Sequence, residues 1–95
     1  MEVLHPKEIE THPGDSLVRW AGGQLAIARD ILDNPGGGLL FATQTIGQVR
    51  SALSERDAER WDGAVAILGR AEDAAVRREF DIARRLLDEA TTKLR

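Results

Sequence analysis

Residues 61–94 decide the fold, and they read WDGAVAILGRAEDAAVRREFDIARRLLDEATTKL. Alanine, leucine and other apolar residues recur every three or four positions along this stretch, as they do on the buried face of an α-helix. The repeat slips by one residue between Ala75 and Val76. Two structures fit this pattern: either the chain turns near Arg77, or one long helix passes through a local discontinuity.

The length of the stretch separates the two alternatives. An unbroken helix over 58–94 would span about 55 Å at 1.5 Å per residue, about twice the reach of the preceding helices. Its apolar face would then need a second copy or a partner protein to cover it. A turn gives a compact four-helix monomer instead. The polar interruption Arg77-Arg78 favours the turn, although no Gly or Pro marks it.

The rest of the chain has the same helical spacing. Apolar residues from Leu17 to Leu32 follow three- and four-residue steps, with Asp15 or Ser16 as the expected N-cap. Proline and three glycines at 35–38 end that helix, and a capping-box pattern at Ser54 could start another. We predict an all-α fold, a small antiparallel bundle. Its four helices lie at about 16–33, 39–54, 58–76 and 80–94; the alternative is three helices with a long C-terminal one.

Size and composition limit the protein to one domain and exclude several functional classes. Ninety-five residues make a single domain, which we place at 15–95 after an irregular arm at 1–14. The absence of cysteine excludes disulfides and thiolate metal sites. The net charge of −3 argues against general nucleic-acid binding. No apolar run is long enough to span a bilayer, so we expect no membrane partner and a cytoplasmic location.

Few residues could carry chemistry. The two histidines, His5 and His12, lie in the N-terminal arm, and the helical carboxylates fall mainly on polar faces beside arginines. A general acid–base site needs such groups in a pocket. We therefore expect no enzymatic activity, no cofactor and no metal site.

Two glycines stand in the middle of the first predicted helix, at Gly22 and Gly23. Each costs about 0.8–1 kcal/mol relative to alanine at such a position. That cost indicates close approach of another backbone, a kink, or a ligand against the helix. We interpret it as close packing against the alanines of the third helix, which are Ala64, Ala71 and Ala75.

Arginines recur every seven residues in the C-terminal half, at Arg70, Arg77 and Arg84. Such a stripe could contact phosphate groups. Opposite charges four residues apart, as in Asp73–Arg77 and Arg84–Asp88, favour instead a solvated face laced with ion pairs.

Residues 64–90 contain Ala64-x-x-Ile67-Leu68-x-x-Ala71, then Glu79-Phe80-Asp81-x-Ala83 and Leu86-Leu87-x-x-Ala90. This pattern resembles one tetratricopeptide helical hairpin, and the related microtubule-interacting and trafficking hairpin. The resemblance implies two closely paired helices, with an aromatic-acidic turn that starts the second. The eighth-position glycine and the closing proline of the repeat are absent, and only one unit is visible.

These features predict a small adaptor or accessory protein that binds another protein or a second copy of itself. An apolar groove or face between helices would receive the partner, and a homodimer would form through residues 61–90. The alternative is a small regulatory or phage-type helical protein that contacts nucleic acid through Arg70, Arg77 and Arg84. The residues that we expect to contact a protein partner are Trp61, Leu68, Val76, Phe80, Leu87 and Leu94.

Overall fold

Four helices account for most of the chain from Pro13 to Leu94, which is the part that the computed structural model describes. They are α1 (Pro13–Asp33), α2 (Leu39–Asp57), α3 (Asp62–Val76) and α4 (Phe80–Lys93). The predicted all-α, four-helix fold is confirmed. The alternative with one long C-terminal helix is wrong, because the chain turns between α3 and α4.

Some helix ends differ from the prediction. Helix α1 begins at Pro13, so Ser16 lies inside the helix and is not its N-cap; proline suits a first turn because its missing N–H would have no acceptor there. Helix α2 continues through Ser54, and α3 begins only at Asp62. The Asp57 carboxylate accepts a hydrogen bond from the backbone N–H of Arg60 (3.1 Å) in the turn between them. Residues 1–12 of the predicted arm, including both histidines, lie outside the described range.

The turn between α3 and α4 is made without glycine. Arg78 has φ +63°, in the left-handed region. The Glu79 N–H donates to the Ala74 carbonyl (2.9 Å) and the Arg78 N–H donates to the Ala75 carbonyl (3.0 Å). These two bonds form a Schellman motif, whose left-handed position is usually glycine. A non-glycine residue there costs on the order of 1–2 kcal/mol.

The predicted interhelical turn at 34–38 is also present, between α1 and α2. Gly36 adopts φ +49°. A Cβ on Gly38 would lie 3.0 Å from Cγ2 of Ile31 and 3.2 Å from the Pro35 carbonyl oxygen. Glycine is therefore needed at both positions, for conformation at the first and for space at the second.

Each helix packs against two others. The pairs α1–α2, α2–α3, α3–α4 and α4–α1 close a ring, in which α1 lies diagonally across from α3. Short connections make neighbours antiparallel, as in an up-and-down bundle. The largest fully buried side chains are Leu25, Leu32, Ile46, Val49, Leu53, Leu68 and Leu87. Buried alanines on all four helices lie among them.

Candidate functional site

Four of the six residues predicted to contact a partner lie in the core of the single chain. Trp61, Leu68, Leu87 and Leu94 are all 4% exposed or less. Because their side chains pack against the neighbouring helices of the same chain, the interpretation of 61–90 as an open seam is wrong for these four residues. Leu87 and Leu94 border the surface in a groove described below, as part of its lining. The long C-terminal helix that a partner would have to cover does not form, since α3 and α4 are separate helices of similar length.

The other two predicted contact residues flank the turn between α3 and α4. Val76 is 64% exposed, and Phe80 is partly buried against the core. They remain accessible in part, but at one end of the bundle only.

The three arginines of the predicted basic face do not form one stripe. The chain reverses between α3 and α4, so the seven-residue spacing does not continue from Arg77 to Arg84. Arg84 is bound within the chain: Nη1 donates to the Leu32 carbonyl oxygen (3.1 Å) and Nε lies 3.2 Å from Asp33. It also pairs with Asp81. Arg70 and Arg77 are exposed.

The ion pairs near these arginines differ from the predicted ones. Asp88 pairs with Arg29 of α1 rather than with Arg84, through Nε–Oδ1 (2.7 Å) and Nη2–Oδ2 (3.2 Å). The hydrogen bond and the charge of Asp88 raise the pKa of the Arg29 guanidinium above its usual value. Both pairs, Arg29–Asp88 and Arg84–Asp33, therefore join α1 to α4, near the C-terminal end of α1.

Below these ion pairs the seam between α1 and α4 opens into a groove. Of the four adjacent helix pairs, α1 and α4 are packed least extensively. Two open cavities, of about 310 Å³ and 170 Å³, lie along this seam and share Gly22 and Thr91. We call this feature the α1–α4 groove. It is lined by Val18, Arg19, Gly22, Gly23, Leu25, Ala26, Arg29, Leu87, Asp88, Thr91, Thr92 and Leu94.

The glycines of this groove have open space above them. Apart from its own helix, no described residue has an atom within 4 Å of a Cβ built on Gly22 or on Gly23. Close packing of these two residues against the alanines of α3 is therefore wrong; α3 lies across the bundle, and Gly22 faces the seam with α4. Within residues 13–94, the helix carries the cost of two glycines without a contact that requires them.

The groove offers apolar surface and little reactive chemistry. Leu25 and Leu87 form its floor, and each is 1% exposed. The hydroxyl groups of Thr91 and Thr92 donate to the Leu87 and Asp88 carbonyl oxygens (2.8 and 3.1 Å). The ion pair of Asp88 with Arg29 closes one end. The groove can therefore bind an apolar surface and position it against one charged pair.

Another concavity lies beside α2, along residues 44–55. All its lining residues belong to that one helix, and it is open to solvent on most sides. It is a shallow part of the surface and not a cleft between elements.

Comparison of the chain with family models, with curated protein sequences and with solved structures finds no match in any of the three. None of the helices described between residues 13 and 94 combines the length and the apolar character needed to cross a bilayer.

The sequence pattern identified Gly22 and Gly23 as candidate contact residues, but they lie beside α4 and not beside the alanines of α3 as predicted. It missed Ala26, Thr91 and Thr92, which complete the rim of the groove. These three residues are small, like the two glycines. Their small size indicates a groove only once α1 is known to lie beside α4.

Proposed function

We propose that the protein is a small adaptor that binds another protein by taking an amphipathic helix of that partner into the α1–α4 groove. The observation that carries this proposal is the open space above Gly22, directly over the leucine floor. Glycines in the middle of a helix destabilise the free protein, and a partner's helix lying against them would account for their presence.

The dimensions of the groove suit a short helix. Its open part runs along α1 from Val18 to Arg29, which is about 16 Å or three helical turns at 1.5 Å per residue. Small residues on both rims allow a third helix to approach to the usual 8–10 Å between axes. Helices bind such grooves through apolar residues at positions i, i+3 or i+4, and i+7.

The shape favours a helix over a small molecule. Ligand pockets usually enclose roughly 300–1,000 Å³ and bury most of the ligand. The two cavities here, of about 310 and 170 Å³, follow one another along the seam and are open. Successive side chains of one helix would fill both.

A matched pair of substitutions tests this proposal. Ala26→Leu and Ala66→Leu introduce the same side chain at exposed positions of α1 and α3, and only Ala26 lies on the groove. Both should leave the helical content unchanged, because leucine is a good helix former. The probe is a displayed library of 15-residue amphipathic helices selected on the wild-type protein.

Selected peptides should bind the wild type and Ala66→Leu with similar affinity, and Ala26→Leu at least tenfold more weakly. In NMR titrations the amide signals of Gly22, Gly23 and Thr92 should shift most. A library that yields no helical binder, or binders that are insensitive to Ala26→Leu, would reject the groove as the binding site.

A further inference from the structure

A second surface of the bundle is apolar and lies on another side of α1. Six large apolar side chains are exposed among the described residues, and three of them share one face: Trp20 (41%), Ile27 (46%) and Phe41 (57%). Trp20, Ile27 and Ile31 follow helical spacing along α1. Ile31 reaches within 3.0 Å of the Cβ position of Gly38, so this side of α1 faces the start of α2.

Phe41 belongs to the same face because it follows Gly38 by three residues, which places both on one side of α2. Leu40 is 68% exposed but points away from α1. It lies seven residues before Gly47, whose Cβ position is 3.2 Å from Glu72 of α3. We call the surface formed by Trp20, Ile27, Ile31 and Phe41 the α1–α2 face.

Charged residues lie at the edge of this face and not at its centre. The chain carries none from Trp20 to Ala28 and none from Asn34 to Val49. Asp30, which is exposed, follows Ile27 by three residues and so lies beside the face at its Ile31 end. Exposed polar groups there include the amides of Gln44 and Gln48. In contrast, α4 carries charged residues on every turn.

We propose that the α1–α2 face packs against the same face of a second copy of this chain around a two-fold axis. Near such an axis a residue meets its own copy, so a charged side chain meets a like charge. A face that is uncharged at its centre avoids this repulsion near the axis, and glutamine amides can pair with themselves because each both donates and accepts. Aromatic residues enriched among uncharged neighbours are typical of interface cores.

The size of the face suits a weak dimer. Along α1 it runs from Trp20 to Ile31, about 16 Å at 1.5 Å per residue. Two neighbouring helices about 10 Å apart present a surface roughly 20 Å wide. About 320 Å² per copy, or about 640 Å² in total, is the size of a weak or transient interface, so association is expected at high micromolar concentration.

The dimer and the groove are separable. Gly22 and Ile27 are five residues apart, which places them about 140° apart around α1. Gly23, at the rim of the groove, is four residues from Ile27 and about 40° from it, so the two surfaces adjoin there. The dimer proposal rests on Trp20, Ile27 and Phe41, which do not line the groove, and so it does not depend on the proposed function.

Sedimentation equilibrium of the full chain from low to high micromolar concentration tests the dimer with a matched pair. Phe41→Glu and Leu40→Glu place the same charge in the first turn of α2, where it suits the helix dipole equally. The wild type and Leu40→Glu should dimerise, and Phe41→Glu and Ile27→Glu should remain monomeric. Circular dichroism at low concentration should be unchanged in all four proteins.

A second measurement locates the interface, because the chain has no cysteine and accepts single spin labels. Labels at Gln24 should lie close together across the axis, and labels at Arg70 on α3 far apart. The proposal is overturned by a wild type that stays monomeric, by dimers that survive both Phe41→Glu and Ile27→Glu, or by equal loss in Leu40→Glu. A monomer that binds phosphatidylcholine vesicles through Phe41 would assign the face to a lipid surface instead.

Discussion

The α2–α3 interface and the α1–α4 groove both contain helical glycines, and the two sets have opposite surroundings. At α2–α3, a Cβ on Gly47 would lie 3.2 Å from Oε2 of Glu72, and one on Gly69 would lie 3.9 Å from Cδ of Arg50. Arg50 and Glu72 pair with each other at 3.1 Å. Each partner of this ion pair thus lies against a glycine of the opposite helix.

At the α1–α4 groove the corresponding pair, Arg29–Asp88, lies only at one end. Among the described residues outside the helix itself, no atom lies within 4 Å of the Cβ positions of Gly22 and Gly23. Gly47 and Gly69 therefore allow close contact between α2 and α3, whereas the described part of the chain makes no such use of Gly22 and Gly23. A partner from outside the chain could fill the space above these two glycines.

The largest expected effect concerns the floor of the groove. Leu87→Glu should unfold the protein, with a loss of more than about 4 kcal/mol, because the carboxylate would be buried without a partner. Circular dichroism with urea denaturation measures this loss. Leu40→Glu, at an exposed position, is the control and should stay folded. A folded Leu87→Glu monomer would show that the floor is more accessible than its 1% exposure indicates.

The next effect tests the comparison directly. Gly22→Ala and Gly23→Ala should each stabilise the protein by about 0.5–1 kcal/mol, because alanine is the better helix former and no residue of the described range occupies the space. Gly47→Ala should gain less or lose stability, since its Cβ would displace the Glu72 carboxylate from its contact with Arg50. Thermal and urea unfolding of the three variants decide between these outcomes. Equal stabilisation at all three positions would remove the distinction between the interfaces.

Binding should change in the opposite direction to stability. In the Gly22→Ala variant, helical peptides that bind the α1–α4 groove should lose affinity although the protein becomes more stable. Gly47→Ala is the control, since it lies away from the groove, and peptide binding to it should be unchanged. An affinity that is unaffected by Gly22→Ala would show that bound helices do not approach this glycine.

A smaller effect concerns the closed end of the seam. Arg84→Ala should destabilise the protein by about 1–1.5 kcal/mol, because Arg84 bonds the Leu32 carbonyl and Asp33 at the C-terminal end of α1. Arg70→Ala, at an exposed position, should change stability by less than about 0.5 kcal/mol. Urea unfolding measures both. Equal effects would mean that the contacts of Arg84 with α1 contribute nothing to stability.

The fold was predictable where the chain gives local signals. Proline and glycine at 35–38 located the start of α2 at Leu39, and the slip between Ala75 and Val76 located the break before Phe80. The conformation of the turn was not predictable, because no local sequence pattern indicates that Arg78 adopts a left-handed backbone conformation. The first turn of α3 was also misplaced, because α2 continues through the capping pattern at Ser54 as far as Asp57, over residues that are exposed.

The groove was predictable only in part, because its position depends on which helices lie side by side in the bundle. The cost of Gly22 and Gly23 can be read from the sequence, but their neighbour depends on the order of helices around the ring. Periodicity identified Leu68 and Leu87 as apolar-face residues without distinguishing a core from an interface, because both bury the same side chains. The composition of the chain also does not indicate that Trp20, Ile27 and Phe41 are exposed on the α1–α2 face.

The smallest expected effect compares the two ion pairs by double-mutant cycles. Both pairs have partly exposed partners, and the coupling between Arg50 and Glu72 should lie within about 0.2–1 kcal/mol. Arg50–Glu72 should give the larger value, because Glu72 is the more buried acid, 29% exposed against 56% for Asp88. Urea unfolding of Arg50→Ala, Glu72→Ala and the double variant, and of the Arg29 and Asp88 equivalents, measures both couplings.

Added salt should weaken the Arg29–Asp88 coupling more, since its charges are more exposed to screening. If Arg29–Asp88 instead gave the larger and more salt-resistant coupling, the α1–α4 seam would be the more tightly held of the two, contrary to an open groove.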